Sequence, residues 1–137
     1  MPDTIRQADY YYTMVPDKPG EGAKVLGLLR AAGVNLLAFS AFPSARKSQA
    51  DFVPADAAAF VAAAKAAKVK LKGPKKCFLI EGDDRPGALA GAMARLGAAK
   101  INVTAVDGVC AGGGRYGAIL WVKPRDVTKA AQALSAF

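Results

Sequence analysis

Apolar and polar residues follow two spacings along this chain, and the order of these spacings occurs twice. Aromatic and β-branched runs predict strands, and apolar residues recurring at three and four predict amphipathic helices. The first half reads strand, helix, strand, strand, helix, strand, at 10–15, 20–32, 34–42, 49–53, 57–67 and 69–71. Gly73-Pro74 is expected to break the chain after this set.

The second half repeats the order but ends one strand early. Its predicted strands are 76–81, 101–110 and 116–122. A helix with Leu89, Met93 and Leu96 on one side follows the first of them, and a last helix capped by Asp126 runs to residue 137. We therefore predict the α+β class, with two tandem ferredoxin-like β-α-β-β-α-β units whose sheets are antiparallel. The predicted domains are 1–74 and 75–137, and the second lacks its last strand.

An internal repeat supports this division. Asp17-Lys18-Pro19-Gly20 recurs 67 residues later as Asp84-Arg85-Pro86-Gly87. The same spacing relates further pairs: Leu29 and Leu96, Asn35 and Asn102, Ala38 and Ala105. A register shared over some twenty residues is the signature of a duplicated unit.

Both repeated turns join a strand to a helix. Proline suits the first turn of a helix, and glycine lets the backbone approach another group closely. The aspartate of each turn could accept hydrogen bonds from the first helical N–H groups. Such a helix start could also hold a carboxylate. The alternative is that the turns are only good helix starts.

The missing last strand would leave 76–81 with an unpaired edge. We expect another segment to cover it, and two candidates remain open. One is the N-terminal segment 4–8, and the other is a second chain.

Composition narrows the chemistry. The chain has no histidine, which excludes Ser/His/Asp and Cys/His catalysis and makes a structural zinc site improbable. Cys77 and Cys110 form no CxxC pattern and are expected to be buried thiols. No apolar run is long enough to cross a bilayer, and residues 1–10 have no signal-peptide character. We expect a cytoplasmic protein with no cofactor and no metal.

The order of elements and the repeated turns resemble those of a known protein family. A β-α-β-β-α-β unit with D-[KR]-P-G after its first strand resembles the ACT domain, and an asparagine opening the second strand fits as well. The resemblance implies a small regulatory module that binds an amino acid. In that family the ligand lies between the turn of one unit and the second strand of its neighbour. The implied ligand-binding residues are Asp17, Lys18, Pro19, Gly20, Asn35, Leu36, Asp84, Arg85, Pro86, Gly87, Asn102 and Val103.

The resemblance also implies partners. ACT domains pair side by side, so a homodimer is expected, together with a regulated enzyme or regulator that responds to the ligand. The two asparagines could instead bond only turn backbone, which is the usual role of asparagine. We expect a protein that is not an enzyme.

Two other functions remain as alternatives. The net charge is +8, and a lysine-rich run at 65–76 could bind nucleic acid, as could a ferredoxin-like sheet with exposed aromatics such as 10–12. The simpler interpretation is a solvated helix end and a lysine-protected edge strand. An acylphosphatase-like activity through Arg85 and Asn102 is the third class, but no further catalytic group accompanies them.

Overall fold

The computed structural model describes residues 3–137, which form six strands and four α-helices. In chain order these are β1 (Thr4–Pro16), α1 (Glu21–Ala31), β2 (Leu36–Ser44), β3 (Lys47–Pro54), α2 (Ala57–Ala66), β4 (Lys72–Asp83), α3 (Ala90–Ala98), β5 (Val103–Gly112), β6 (Arg115–Val122) and α4 (Val127–Leu134). A short 3-10 turn, Pro124–Asp126, precedes α4. The element order agrees with the α+β prediction of two ferredoxin-like repeats.

The chain packs as two compact units. The first unit is Asp9–Lys75, and the second combines the segment up to Ala8 with Lys76–Phe137. Strands β1 and β4 are long enough that each contributes one part to each unit. In the first unit the strand order is β2-β3-β1-β4. The predicted division into 1–74 and 75–137 differs because it joins the first eight residues to the first unit.

The second unit obtains its fourth strand from the start of the chain. Its strand order is β1-β4-β6-β5, so residues 4–8 lie beside β4. The same segment is also bonded to the last residue of the chain, since the N–H of Gln7 donates to the Phe137 carbonyl at 2.8 Å and the N–H of Phe137 donates to the Ile5 carbonyl at 3.3 Å. The placement beside β4 rests on the strand order. Of the two candidates for covering this edge, the N-terminal segment is therefore the one observed.

Aromatic side chains fill the core of the first unit. Phe52 on β3 and Phe60 on α2 are fully buried, and their ring centroids lie 5.4 Å apart. Tyr11 joins them at 5.4 Å from Phe60. Helix α2 starts where predicted, since the Asp56 carboxylate accepts from the N–H of Ala59 at 3.1 Å.

Aliphatic side chains dominate the core of the second unit. Phe78, Leu96 and Leu120 are fully buried, and they meet Leu134 from α4. Ile5 belongs to the same cluster and is only 5% exposed. The N-terminal segment thus adds an apolar side chain to this core as well as backbone hydrogen bonds.

The structure corrects the prediction at the end of the first repeat. The predicted edge strand at 69–71 is absent from the described secondary structure, and Gly73-Pro74 does not break the chain but lies inside β4 with a cis bond. A Cβ on Gly73 would stand 2.8 Å from the Tyr10 carbonyl oxygen. The position therefore needs glycine, because the neighbouring backbone approaches too closely for a side chain.

The two cysteines differ from each other. Both are free thiols, as expected. Cys77 is buried, which agrees with the prediction, but Cys110 is exposed. The prediction was wrong for Cys110 because it lies near the end of β5, which is an edge strand of the second unit.

Candidate functional site

The first turn, residues 17–20, is exposed and leads into α1. Gly20 occupies the N-cap position with φ +89°, a backbone conformation that side chains other than glycine rarely adopt. The N–H of Lys24 donates to the Gly20 carbonyl at 3.0 Å. Within residues 3–137 no side chain caps α1, so N–H groups of its first turn remain available to an acceptor.

The turn aspartates do not cap the helices, contrary to one sequence interpretation. Asp17 lies three residues before the N-cap Gly20, and its carboxylate accepts from the Ser48 hydroxyl at 3.2 Å. The positive φ of Gly20 begins the helix beyond the reach of the aspartate. The carboxylate instead fastens the turn to the start of β3.

The second turn, residues 84–87, is exposed in the same way but is bonded differently. Gly87 has φ +66°, and its carbonyl accepts from the N–H of Ala90 at 2.9 Å. The N–H of Asp84 donates to the Gly114 carbonyl at 2.8 Å. A hydrogen bond to Asp84 also raises the pKa of the Cys110 thiol. Asp84 therefore fastens its turn to the β5–β6 hairpin, as Asp17 fastens the first turn to β3.

Arg85 of the second turn is already paired. Its guanidinium donates to both carboxylate oxygens of Asp3, each at 3.1 Å, and to the Asp83 carbonyl at 2.8 Å. The Tyr116 hydroxyl donates to the same Asp3 carboxylate at 2.7 Å. Arg85 holds the pKa of Asp3 below its usual value, although burial opposes this effect. Arg85 thus joins the N-terminal segment to the second turn.

Tyr116 gives a test of this network at high pH. Replacing it by phenylalanine is expected to lower the free energy of unfolding by about 1.5–3 kcal/mol at neutral pH, since a hydrogen bond to a charged group is lost. Burial and the bond to Asp3 raise the pKa of Tyr116 from 10.0 to about 12. In the unfolded chain the phenol ionises first, so its contribution is complete below pH 10.0 and is lost as the pH rises towards 12. Denaturant unfolding should show the wild-type and Tyr116→Phe stabilities converging over that range, and a constant gap would contradict the assignment.

The asparagines lie at the other end of the first helix of each unit. Asn35 precedes β2 and Asn102 precedes β5, and both are exposed. Helix α1 has 11 residues, which separates Asn35 from the first turn by about 16 Å along the helix axis. The backbone carbonyl of Asn35 accepts from the N–H of Ala55 at 2.9 Å. Neither unit brings its own turn and its own asparagine together.

An open groove in the first unit contains Asn35 and Leu36. It is lined by Leu26, Leu29, Arg30 and residues 33–36. Arg30, in the last turn of α1, lines the same groove as the asparagine. Sequence reasoning missed Arg30 because a basic residue at a helix C-terminus is expected from the helix dipole alone.

The lysine-rich run is partly used inside the first unit. The ammonium groups of Lys72 and Lys75 lie 6.0 and 5.2 Å from the centre of the Tyr12 ring. Burial raises the pKa of Asp51, which accepts from Gln49 at 2.9 Å, while the charge of Lys75 opposes that rise. These contacts give Lys72 and Lys75 a structural role within the first unit.

Strand β2 carries apolar side chains at an edge. It lies at the end of the strand order in the first unit, and Leu37, Phe39 and Phe42 are 45%, 38% and 42% exposed. Single exposed apolar residues are ordinary, whereas several on one edge strand mark a surface suited to association.

Metal-binding clusters and membrane-spanning helices are both absent from the described chain. Across residues 3–137 no group of three His, Cys, Asp or Glu side chains could hold a metal ion. In the same part of the chain no helix has the length and apolarity needed to cross a membrane.

The strand order and the repeated turns define a tandem ACT-like ferredoxin fold, and solved structures share it. The chain resembles protein BT0572 from Bacteroides thetaiotaomicron at a TM-score of 0.80 and 18% identity, covering 96% of this chain and 88% of that one. It resembles the ligand-free regulatory subunit of aspartate kinase from Thermus thermophilus at 0.65 and 17%, covering 98% and 96%.

A larger enzyme contains the same fold as one part. Aspartokinase III from E. coli, solved in complex with aspartate and ADP, matches at a TM-score of 0.55 and 13% identity, and the match covers 96% of this chain and 32% of the enzyme. At such identities the likeness establishes the fold. No family model and no curated protein matches the sequence.

Proposed function

We propose that this chain is a non-catalytic regulatory protein of the ACT family that binds an amino acid at its repeated turns. The observation that carries the proposal is the turn geometry. In both units a D-x-P-G turn between the first strand and the first helix ends in a glycine with positive φ, +89° at Gly20 and +66° at Gly87. Gly20 is the N-cap of α1, and Gly87 lies two residues before the N-cap of α3. A helix can begin without an exposed glycine turn, so the repeat of this turn at matching sequence positions supports a second role, which is ligand binding.

The chemistry of the first turn suits an α-amino acid. The free N–H groups at the start of α1 would hold the α-carboxylate, with Lys18 adding positive charge. The amide of an asparagine such as Asn35, supplied by a neighbouring unit, would accept from the α-ammonium. The likeness to the regulatory subunit of aspartate kinase and to an aspartate-bound aspartokinase supports an amino-acid ligand and a regulatory role.

The proposal includes a second copy of the chain. Because the turn and the asparagine of one unit lie at opposite ends of a helix, a complete site requires them to come from different units. Strand β2 is at the end of the strand order, so its backbone could pair edge to edge with a second copy, and its exposed apolar side chains would be covered in such a homodimer. Amino-acid binding across that interface would favour one arrangement of the dimer and so reach a regulated enzyme in the cytoplasm.

A thermal-shift screen against the twenty amino acids tests the proposal. A ligand present at about 100 times its dissociation constant should add about 2.7 kcal/mol to the free energy of unfolding. We expect one amino acid, or a small group of related ones, to raise the melting temperature in a saturable way. Isothermal titration of the amino acids that respond gives the dissociation constant and the number of sites per chain.

The matching control is the enantiomer of each responding amino acid, because a site with fixed carboxylate and ammonium partners distinguishes the two hands. The absence of a shift with all twenty amino acids would contradict the proposal. Tight, salt-sensitive binding of RNA or DNA in the same protein would instead favour the nucleic-acid alternative.

A further inference from the structure

The carboxylate of Asp3 is held as a bound ligand would be. Arg85 donates to its two oxygens from two different nitrogens, each at 3.1 Å, which is the paired geometry that makes arginine a strong carboxylate binder. Tyr116 adds a third hydrogen bond at 2.7 Å. The side chain of Asp3 is 14% exposed, although it belongs to the first residues of the chain.

The space around this carboxylate is shaped for it. A Cβ on Gly82 would collide with the Asp3 carboxylate and stand 3.0 Å from the Tyr116 ring. The guanidinium of Arg85 is steadied separately by its bond to the Asp83 carbonyl at 2.8 Å. Gly82, Arg85 and Tyr116 together form a carboxylate cradle. One of the bonds that hold the Arg85 guanidinium is therefore independent of Asp3.

The first unit has no such cradle at the equivalent place. Gly82 pairs with Tyr116 in the sheet of the second unit, and the corresponding pair in the first unit is Val15 with Ser48. A valine side chain fills the position that Gly82 leaves open, and Ser48 cannot replace the longer tyrosine. Lys18 is the residue of the first turn that is equivalent to Arg85 in the repeat. Within the described chain no carboxylate pairs with it. The cradle is therefore a particular feature of the second turn and not a general requirement of the fold.

We propose that Gly82, Arg85 and Tyr116 form a carboxylate-binding site that the chain fills with its own Asp3, so that a free carboxylate enters only when Asp3 withdraws. The ligand class is a small carboxylate. That the natural ligand is the α-carboxylate of an amino acid rests on the proposed function. The two turns are then unequal, since the first is open and the second is blocked by an internal competitor. Ligand at the second turn would displace the start of the chain and so change the edge of the second unit.

Acetate is the probe for the cradle, and the test uses the full chain. In Asp3→Ala the cradle is vacant, so acetate should raise the melting temperature in a saturable way, beyond the effect of sodium chloride at equal ionic strength. In the wild type the competent state is rare, which lowers the apparent affinity in proportion. We expect the apparent affinity for acetate to be at least about tenfold higher in Asp3→Ala than in the wild type.

Two double variants locate the effect. Asp3→Ala with Arg85→Gln removes the guanidinium that binds the carboxylate and should lose the acetate response. Asp3→Ala with Arg115→Gln is the matched control, because it removes a neighbouring arginine whose own partner is Asp83 at 2.8 Å, and it should keep the response. Equal acetate responses in wild type and Asp3→Ala, or a response that survives Arg85→Gln, would overturn the proposal.

Hydrogen exchange keeps the proposal testable if Asp3→Ala does not fold. If that variant unfolds the second unit, exchange over 76–137 should be slowed again by acetate, and a failure to restore protection would count against the cradle. The amino-acid screen on wild type is read separately. A cradle that takes acetate while no amino acid shifts the wild type would leave the cradle standing and overturn the proposed function.

Discussion

Replacing Ile5 by lysine is expected to unfold the second unit or to reduce its stability by at least about 3 kcal/mol. Ile5 is 5% exposed and packs in the cluster that contains Phe78, Leu120 and Leu134. The substitution removes a buried aliphatic side chain and places a charge in its position. It also releases residues 4–8 from β4, which leaves that strand with an unpaired edge.

The measurement is hydrogen exchange resolved by segment, combined with denaturant unfolding. Protection should fall throughout 76–137. The matched control is Thr4→Lys, which adds the same charge at the neighbouring, exposed position of the same strand and should change stability by less than about 0.5 kcal/mol. Similar protection in the two variants would show that the N-terminal segment is not the fourth strand of this unit in solution.

The order of elements was predictable because the repeat made each half a check on the other. Apolar residues at a spacing of two predicted the strands, and those at three and four predicted the helices. Residues 4–8 escaped firm assignment because Ile5 is their only large apolar side chain, and a short polar strand has little periodicity to detect.

The chemistry around the second turn could be predicted only in part. The residue types of the turn were evident, but the partner of Arg85 is Asp3, 82 positions away in the chain, and no local pattern predicts such a pair. The interpretation that the turn aspartates cap the helices was wrong for a different reason. A glycine with positive φ was expected to permit a close approach, but it also moves the helix start beyond the reach of the aspartate.

Placing asparagine or valine at Gly20, or at Gly87 in the Asp3→Ala background, is expected to weaken amino-acid binding at that turn by at least about tenfold. No atom lies within 4 Å of a Cβ on Gly20, and Ala90 at 3.8 Å is the nearest to a Cβ on Gly87, so a side chain would enter the open space beside the turn. That space is where the proposed ligand would approach the backbone. Titration calorimetry with the amino acid found in the screen measures the loss.

The two substitutions separate ligand exclusion from backbone strain. Valine is poorly tolerated at φ +89° or +66°, so it should also cost about 1–2 kcal/mol of stability. Asparagine tolerates positive φ, so Gly20→Asn should fold almost as the wild type does and still lose affinity. The matched controls are Gly27→Ala in α1 and Gly91→Ala in α3, where a Cβ meets open space at a helical position.

Those controls should gain about 0.5–1 kcal/mol of stability without any change in affinity, because alanine favours a helix more than glycine does. Under the carboxylate-cradle proposal the Gly87 substitutions should have a measurable effect only once Asp3→Ala has opened the second turn, whereas Gly20→Asn should act in the wild type. Unchanged affinity in Gly20→Asn would remove the first turn from the site. An equal loss from Gly87→Asn with and without Asp3 in place would show that the two turns bind ligand equally, contrary to the asymmetry inferred from Arg85.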